Sequence, residues 1–419
     1  MNPLFRLQNP IKHYDWGSPQ WIPQLLGVAN PEGLPWAELW MGVHPEGPSI
    51  TEYAGTALPL ASLIAQDPAG YVGTAIQQAF GTLPFLFKLL AVEQPLSLQA
   101  HPNKEQAQRG WERENQLGIP LKAPYRNYKD PSHKPEIICA LSPFTALCGF
   151  QEPEQIVQGV AVFAQSAPEP LYTALHRLVQ TLEAGATAQR LRAFLQGLFG
   201  LPVAVGQALS AYGRDQKERL INEYPVYKQA WELMAYGAER YPGDPAVLAP
   251  LYLNRIDLAP GEGLYLPAGV LHGYLRGFGV ELMANSDNVL RGGLSSKHVD
   301  KEELVRILDF SVFHPQILRS QGGRYQTQVQ EFSLWVMEGQ GDQIQDPQFL
   351  PGILIVTQGK LHITFSSGEG EWNLMQGESA FIPAGKPADL HFRGTYTLYG
   401  AGIGSLYVME DKDENTGGC

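Results

Sequence analysis

At 419 residues, with 44 glycines and 33 prolines, the chain is too long for one ordinary core and too rich in turns for a helical bundle. A formal net charge of -12 argues against nucleic-acid partners and anionic membrane surfaces, so an anionic small substrate would need a locally basic pocket. Three cysteines (Cys139, Cys148, Cys419), no apolar run behind a basic N-terminus and no segment of membrane-spanning length predict a soluble cytoplasmic protein.

Residues 1 to 60 hold short extended pieces broken by Gly and Pro: Tyr14-Asp15-Trp16-Gly17, then Ala37-Glu38-Leu39-Trp40-Met41-Gly42. Trp16 and Glu38 suit a sugar pocket, although core tryptophans beside solvated carboxylates are the commoner arrangement. Residues 83–92 form an apolar strand interrupted by Lys88. A lysine there either carries its amine to the surface, the usual outcome, or meets an anion. Next comes Ser97-Leu98-Gln99-Ala100-His101-Pro102, whose period-2 alternation puts Ser97, Gln99 and His101 on one face of a half-buried strand. An amide oxygen and an imidazole two residues apart can grip one metal ion. Residues 103–117 read as a charged, solvated helix.

Pro135 disfavours helix, so Glu136 should open a strand with Lys134, Glu136 and Ile138 on one face and Cys139 on the other. Residues 152–250 change to helical spacing, notably over 171–179, 190–199 and 227–236, without a cluster of ligating residues. The expected role is a wall or lid. Strands resume at 251–253, and Pro260-Gly261-Glu262-Gly263 to Pro267-Ala268-Gly269 is followed three residues later by His272. The same skeleton recurs at Gln376-Gly377-Glu378 to Pro383-Ala384-Gly385, but Ala388 stands where the ligand would be. A second, metal-free barrel over about 320–408 follows from this repeat, ahead of an acidic, frayed end.

Gln99, His101, Glu136 and His272, each on a turn-flanked strand, make up a donor set suited to zinc, with unrelated, separately satisfied polar residues as the competing explanation. Further on, Glu281 sits on a strand, and Asp287 precedes Arg291 by four residues. Arg291 suits a forked contact with phosphate or carboxylate, or a structural salt bridge to Asp287.

These passages resemble type I mannose-6-phosphate isomerases (phosphomannose isomerases) of the cupin superfamily. The resemblance rests on Tyr14 to Gly17, Ala37 to Gly42, Leu83 to Lys88, Gln99-Ala100-His101-Pro102, His133-Lys134-Pro135-Glu136, Pro267 to His272 and Ser286-Asp287-Asn288-Val289-Leu290-Arg291, in the family's order. Val43 and Glu46 depart from the expected turn but lie outside the ligand set. The signature of the bifunctional isomerase/guanylyltransferase class is absent.

The resemblance implies a mainly β fold with a helical insertion: two cupin-type β-barrels (double-stranded β-helix or jelly-roll) plus an all-α domain. Residues 1–150 and 251–319 would form the zinc-binding catalytic domain, 151–250 the inserted helical domain and 320–419 a cupin-like domain without metal ligands. It implies reversible interconversion of mannose 6-phosphate and fructose 6-phosphate through a cis-enediol, with one Zn²⁺ per subunit on Gln99, His101, Glu136 and His272. A sugar phosphate would be the small-molecule partner, and the chain would act as a monomer, a dimer not being excluded. Catalytic expectations fall on Asp287 or Glu281 as base, Lys134 assisting and Arg291 at the enediolate or phosphate. Ser97, Lys88, His133, Tyr274, Trp16 and Glu38 are expected to contact substrate. A non-catalytic sugar-phosphate sensor and a cupin oxygenase are the alternatives. The first is disfavoured by the intact set Glu281, Asp287, Lys134 and Arg291, the second by Gln99 as a fourth ligand.

Overall fold

The computed structural model of the chain describes residues 3–341, 349–365, 370–384 and 390–404. Gly385, Ala388 and the acidic end with Cys419 lie outside the described residues. The fold is mainly β, with helices concentrated between residues 153 and 240.

An eleven-stranded sheet carries the candidate ligands. Its organising element is the thirteen-residue strand His272–Ala284, which pairs antiparallel with Phe85–Val92, Leu98–Ala100, Glu136–Ala140 and Phe144–Phe150. Phe85–Val92 is buried along its whole length, as expected where a strand is covered on both faces and alternation disappears. In Glu136–Ala140 the alternation is preserved: Ile137 and Cys139 enter one apolar cluster, Ile138 and Ala140 the other. Cys139 therefore points away from Glu136, as its register requires. Gly277 lets the long strand bend: its φ is +140°, and a Cβ there would lie 2.5 Å from the Phe144 ring.

The second sheet has eight strands, with Gly352–Phe365 pairing four others. Its interior is apolar, built from Leu354, Leu361, Ile363, Leu374, Leu398 and neighbours. Phe5–Arg6, near the start of the chain, pairs with Ser379–Ile382 and so belongs to this sheet.

The helices Pro153–Ala164, Leu171–Gln180, Thr187–Phe199, Val203–Asp215, Lys217–Glu223 and Lys228–Arg240 each turn an apolar stripe to a common core. That core extends to Leu98, Ala100, Leu290 and Leu294, so the helical segment backs the strand whose other face carries Gln99 and His101. The helix Lys104–Gln116 opens with a capping box between Asn103 and Gln106. It is less solvated than its composition predicts: Glu114 is buried, accepting the N–H groups of Asn127 and Tyr128. No single helix among the described residues is long and apolar enough to cross a membrane.

Candidate metal centre and substrate pocket

His101, Glu136 and His272 come from three different strand ends, are all buried, and bring one ligand atom each within 4.8 Å of the others. His101 Nε2 lies 3.4 Å from one Glu136 oxygen and His272 Nε2 lies 3.6 Å from the other. The far nitrogen of each ring is engaged: His101 Nδ1 sits 2.7 Å from the Asn288 carbonyl and His272 Nδ1 2.9 Å from the Val270 carbonyl. A carbonyl only accepts, so Nδ1 carries the proton and Nε2 presents its lone pair to the centre. Burial pushes His101 down to about 4, with the Lys134 charge adding to it against Glu136, which keeps the imidazole neutral. Burial raises the Glu136 carboxyl, but Lys134 and His101 outweigh it and hold Glu136 well below the usual range.

His101 Nε2 and Glu136 Oε2 are buried without a hydrogen-bond partner. Each such atom costs about 1–3 kcal/mol when left unpaired, a cost that a bound cation would offset. Gln99 adjoins this group: its amide nitrogen is 3.4 Å from His272 Nε2, and a half-turn of the carboxamide would offer oxygen at that place. Two imidazoles, a carboxylate and an amide fit a zinc ion.

A second group of buried charges adjoins this one. Lys88 does not reach the surface: its Nζ lies 3.0 Å from Glu281 and 3.9 Å from Glu38, and it is 6% exposed. Burial works to lower the Lys88 pKa, but Glu281, Glu38 and Glu136 outweigh it and keep the amine protonated. Glu281 is raised by burial, with Lys88 opposing. Glu38 is buried, not solvated, because Trp40 Nε1 donates to it and Lys88 faces it. Lys134 Nζ donates to Glu136. The Tyr274 hydroxyl is buried without a hydrogen-bond partner, and burial followed by Glu281 and Glu136 pushes its pKa far up.

At the mouth the anticipated Asp287–Arg291 salt bridge is not formed. Asp287 faces His44 at 3.4 Å; burial raises its carboxyl, but His44 outweighs this and lowers it. Arg291, in the strand Leu290–Gly293 opposite Gln99, has no ion-pair partner among the described residues, and burial lowers its pKa. Lys297 is lowered by burial, then by the charges of Arg291 and Lys129. Its Nζ lies 5.9 Å from the centre of the Tyr14 ring, itself stacked on Trp16. Ser97 is half-buried, with no side-chain hydrogen bond among the described residues. His133 is drawn elsewhere: its Nε2 is 2.7 Å from Glu331, on the lead into the second sheet.

Sequence reasoning passed over Lys129, Lys297, His44 and Asn288. Asn288 donates to the carbonyls of Asp130 and Ser132 and accepts from Lys129 N, fastening the loop that leads to Lys134. The signal for Lys297 was its place six residues beyond Arg291, across a glycine pair.

Residues 4–153 match the family Phosphomannose isomerase type I, catalytic domain. Mannose-6-phosphate isomerase of Escherichia coli (strain K12) is 36% identical over 386 residues, covering 90% of this chain and 94% of its own length. The Rattus norvegicus enzyme is 32% identical over 419 residues, covering 91% and 93%. A crystal structure of zinc-bound mannose 6-phosphate isomerase aligns with a TM-score of 0.85 at 33% identity, covering 96% of this chain and 100% of that one. Related along nearly its whole length, in sequence and in fold, the chain belongs to the type I mannose-6-phosphate isomerase family.

Proposed function

We propose that this chain interconverts mannose 6-phosphate and fructose 6-phosphate, with one zinc ion held by Gln99, His101, Glu136 and His272. The observation that carries the reading is the pair of buried, unpartnered lone pairs on His101 and Glu136, set beside a buried Lys88–Glu281 pair. When bound, the ion supplies Lewis acidity, drawing negative charge toward the sugar oxygens.

The chain's own residues do the rest. Glu281, raised by burial and steadied by Lys88, takes the proton from C2 of the open-chain aldose and returns it at C1 through a cis-enediol, while a proton passes from the C2 hydroxyl to the C1 oxygen. Lys134 donates a hydrogen bond to the oxygen on which charge develops. Asp287, held ionised, accepts from sugar hydroxyls. Arg291, Lys129 and Lys297 grip the phosphate, which takes no part in the chemistry and so serves to fix C1 and C2 in place. Lys88 is occupied by carboxylates and His133 by Glu331, so neither is assigned to phosphate or sugar.

In this reading the two sheets are cupin-type barrels. Residues 1–150 and 251–319 form the catalytic unit, 151–250 the helical insertion and 320–419 the second barrel, to which Phe5–Arg6 is lent. Each sheet has an apolar cluster of its own, and a third cluster, shared by both, packs them together. Metal analysis with a coupled assay for fructose 6-phosphate tests the function: zinc-dependent turnover is expected, and iron with oxygen uptake would overturn it.

A further inference from the structure

One carboxylate of the helical segment reaches the turn that follows Arg291. Asp244 opens the short helix Pro245–Leu251, where one carboxylate oxygen accepts from Ala246 N at 2.9 Å, an ordinary N-terminal cap. The other oxygen leaves the helical segment and accepts from Leu294 N at 2.6 Å. Leu294 has a φ of +52°, one of two non-glycine residues with positive φ among those described. A bulky side chain in that region is disfavoured and persists only where its surroundings hold it.

The helical segment supplies part of those surroundings. The Leu294 side chain lies against the helix Lys228–Arg240 at Gly237, where a Cβ would come within 3.2 Å of it. The preceding Gly293 has a φ of +121°, and a Cβ there would sit 2.3 Å from Ala246 and 3.0 Å from the Asp244 carboxylate. The turn at 293–294 is thus moulded onto the start of one helix and the side of another. It also decides where the chain goes next, because Arg291 precedes it, locked in register with Gln99, and Lys297 follows three residues later.

We propose that Asp244 is a positioning residue for phosphate recognition: by holding the Leu294 N–H it fixes the left-handed turn through which the chain runs from Arg291 to Lys297. The inference rests on the assignment of those cations to the substrate phosphate. It gives the helical segment a function beyond that of a wall, since a carboxylate from it shapes the anion-binding end of the pocket.

The discriminating variant is Asp244→Ser, which keeps an acceptor for Ala246 N but is too short to reach Leu294. Relative to the wild-type holoenzyme, we expect KM for mannose 6-phosphate to rise about tenfold while kcat stays within about threefold. Zinc content should be unchanged, and competitive inhibition by inorganic phosphate should weaken in parallel with KM. Asp244→Asn serves if the serine variant does not fold, because its single acceptor oxygen satisfies only one of the two N–H groups. Loss of thermal stability with KM and phosphate inhibition unchanged would show a purely structural residue and overturn the proposal. If the wild-type enzyme fails to turn over mannose 6-phosphate, the functional reading falls instead. Calorimetric titration of inorganic phosphate into wild-type and variant protein then still decides whether Asp244 shapes an anion site.

Discussion

Around Gly261 the chain turns with φ +83°, Gly261 N donates to the Ala140 carbonyl, and Glu262 accepts from Ala259 N while pairing with Arg319 at 2.7 Å. Around Gly377 the chain turns with φ +85°, Gly377 N donates to the Val356 carbonyl, and Glu378 accepts from Met375 N while pairing with Arg6 at 2.6 Å. The two sheets therefore share this turn down to its hydrogen bonds, yet their interiors differ in kind. One encloses Lys88, Lys134, Glu136, Glu281 and two histidines; the other, among its described residues, closes over Leu354, Leu361, Ile363 and Phe392. Glycine, glutamate and a paired arginine build a skeleton that tolerates either filling, and the chemistry resides in which side chains are aimed inward.

The contrast is broken most severely at the metal centre. His272→Ala, or chelation of the holoenzyme, should abolish isomerase activity and zinc retention, read by metal analysis beside the coupled assay. A matching His362→Ala change in the second sheet, on a partly buried ring bonded to Asn373 and Arg393, should leave both intact.

Next in size is the buried charge. Lys88→Met leaves Glu281 and Glu38 facing one another without their cation, and breaking such a pair costs about 3–5 kcal/mol. Denaturant unfolding should show that loss. Lys88→Met with Glu281→Leu should recover part of the stability and none of the activity. The second sheet offers the converse, since Leu361→Lys would place an amine among apolar groups and should unfold the protein at lower denaturant.

A smaller effect concerns the join between the sheets, where His133 meets Glu331. Burial raises the Glu331 carboxyl, but His133 outweighs it, so the folded pKa lies below the ordinary 4.5. A depressed carboxyl contributes stability above the unfolded pKa and loses it as pH falls through the folded one. Thermal melts of Glu331→Gln should therefore show a shallower acid loss than wild type below that ordinary value, and the two should run parallel above neutrality. Smallest of all, Glu262→Gln and Glu378→Gln should lower Tm by equal, slight amounts and leave turnover unchanged, as two exposed arginine pairs on one turn design require.

What could be read from the residues follows the range of the interactions. The strand Leu98–Ala100 is short and half-covered, so its alternation survives and exposes Gln99 and His101 as a pair. Phe85–Val92 is buried on both faces and reads as a bare apolar run, in which Lys88 looks like a misfit. Its partner Glu281 lies 193 residues away, and Glu331 lies 198 from His133. No local pattern announces either meeting. The Asp287–Arg291 spacing suggested a pair, yet Asp287 faces His44 instead, and nothing local sets Lys129 and Lys297 apart from other exposed lysines.

The strand His272–Ala284 has a consequence for the order in which the protein can assemble. Its four neighbours all precede residue 151, so they must wait while the whole helical segment is synthesised before their shared partner emerges. A nascent chain ending at residue 153 holds Gln99, His101 and Glu136, yet Phe85–Val92 and Glu136–Ala140 would each show an unpaired edge where that strand belongs. Such edges invite pairing with other chains. The late closure of so many distant pairings makes this sheet slow to form, and most exposed to aggregation just before its centre arrives.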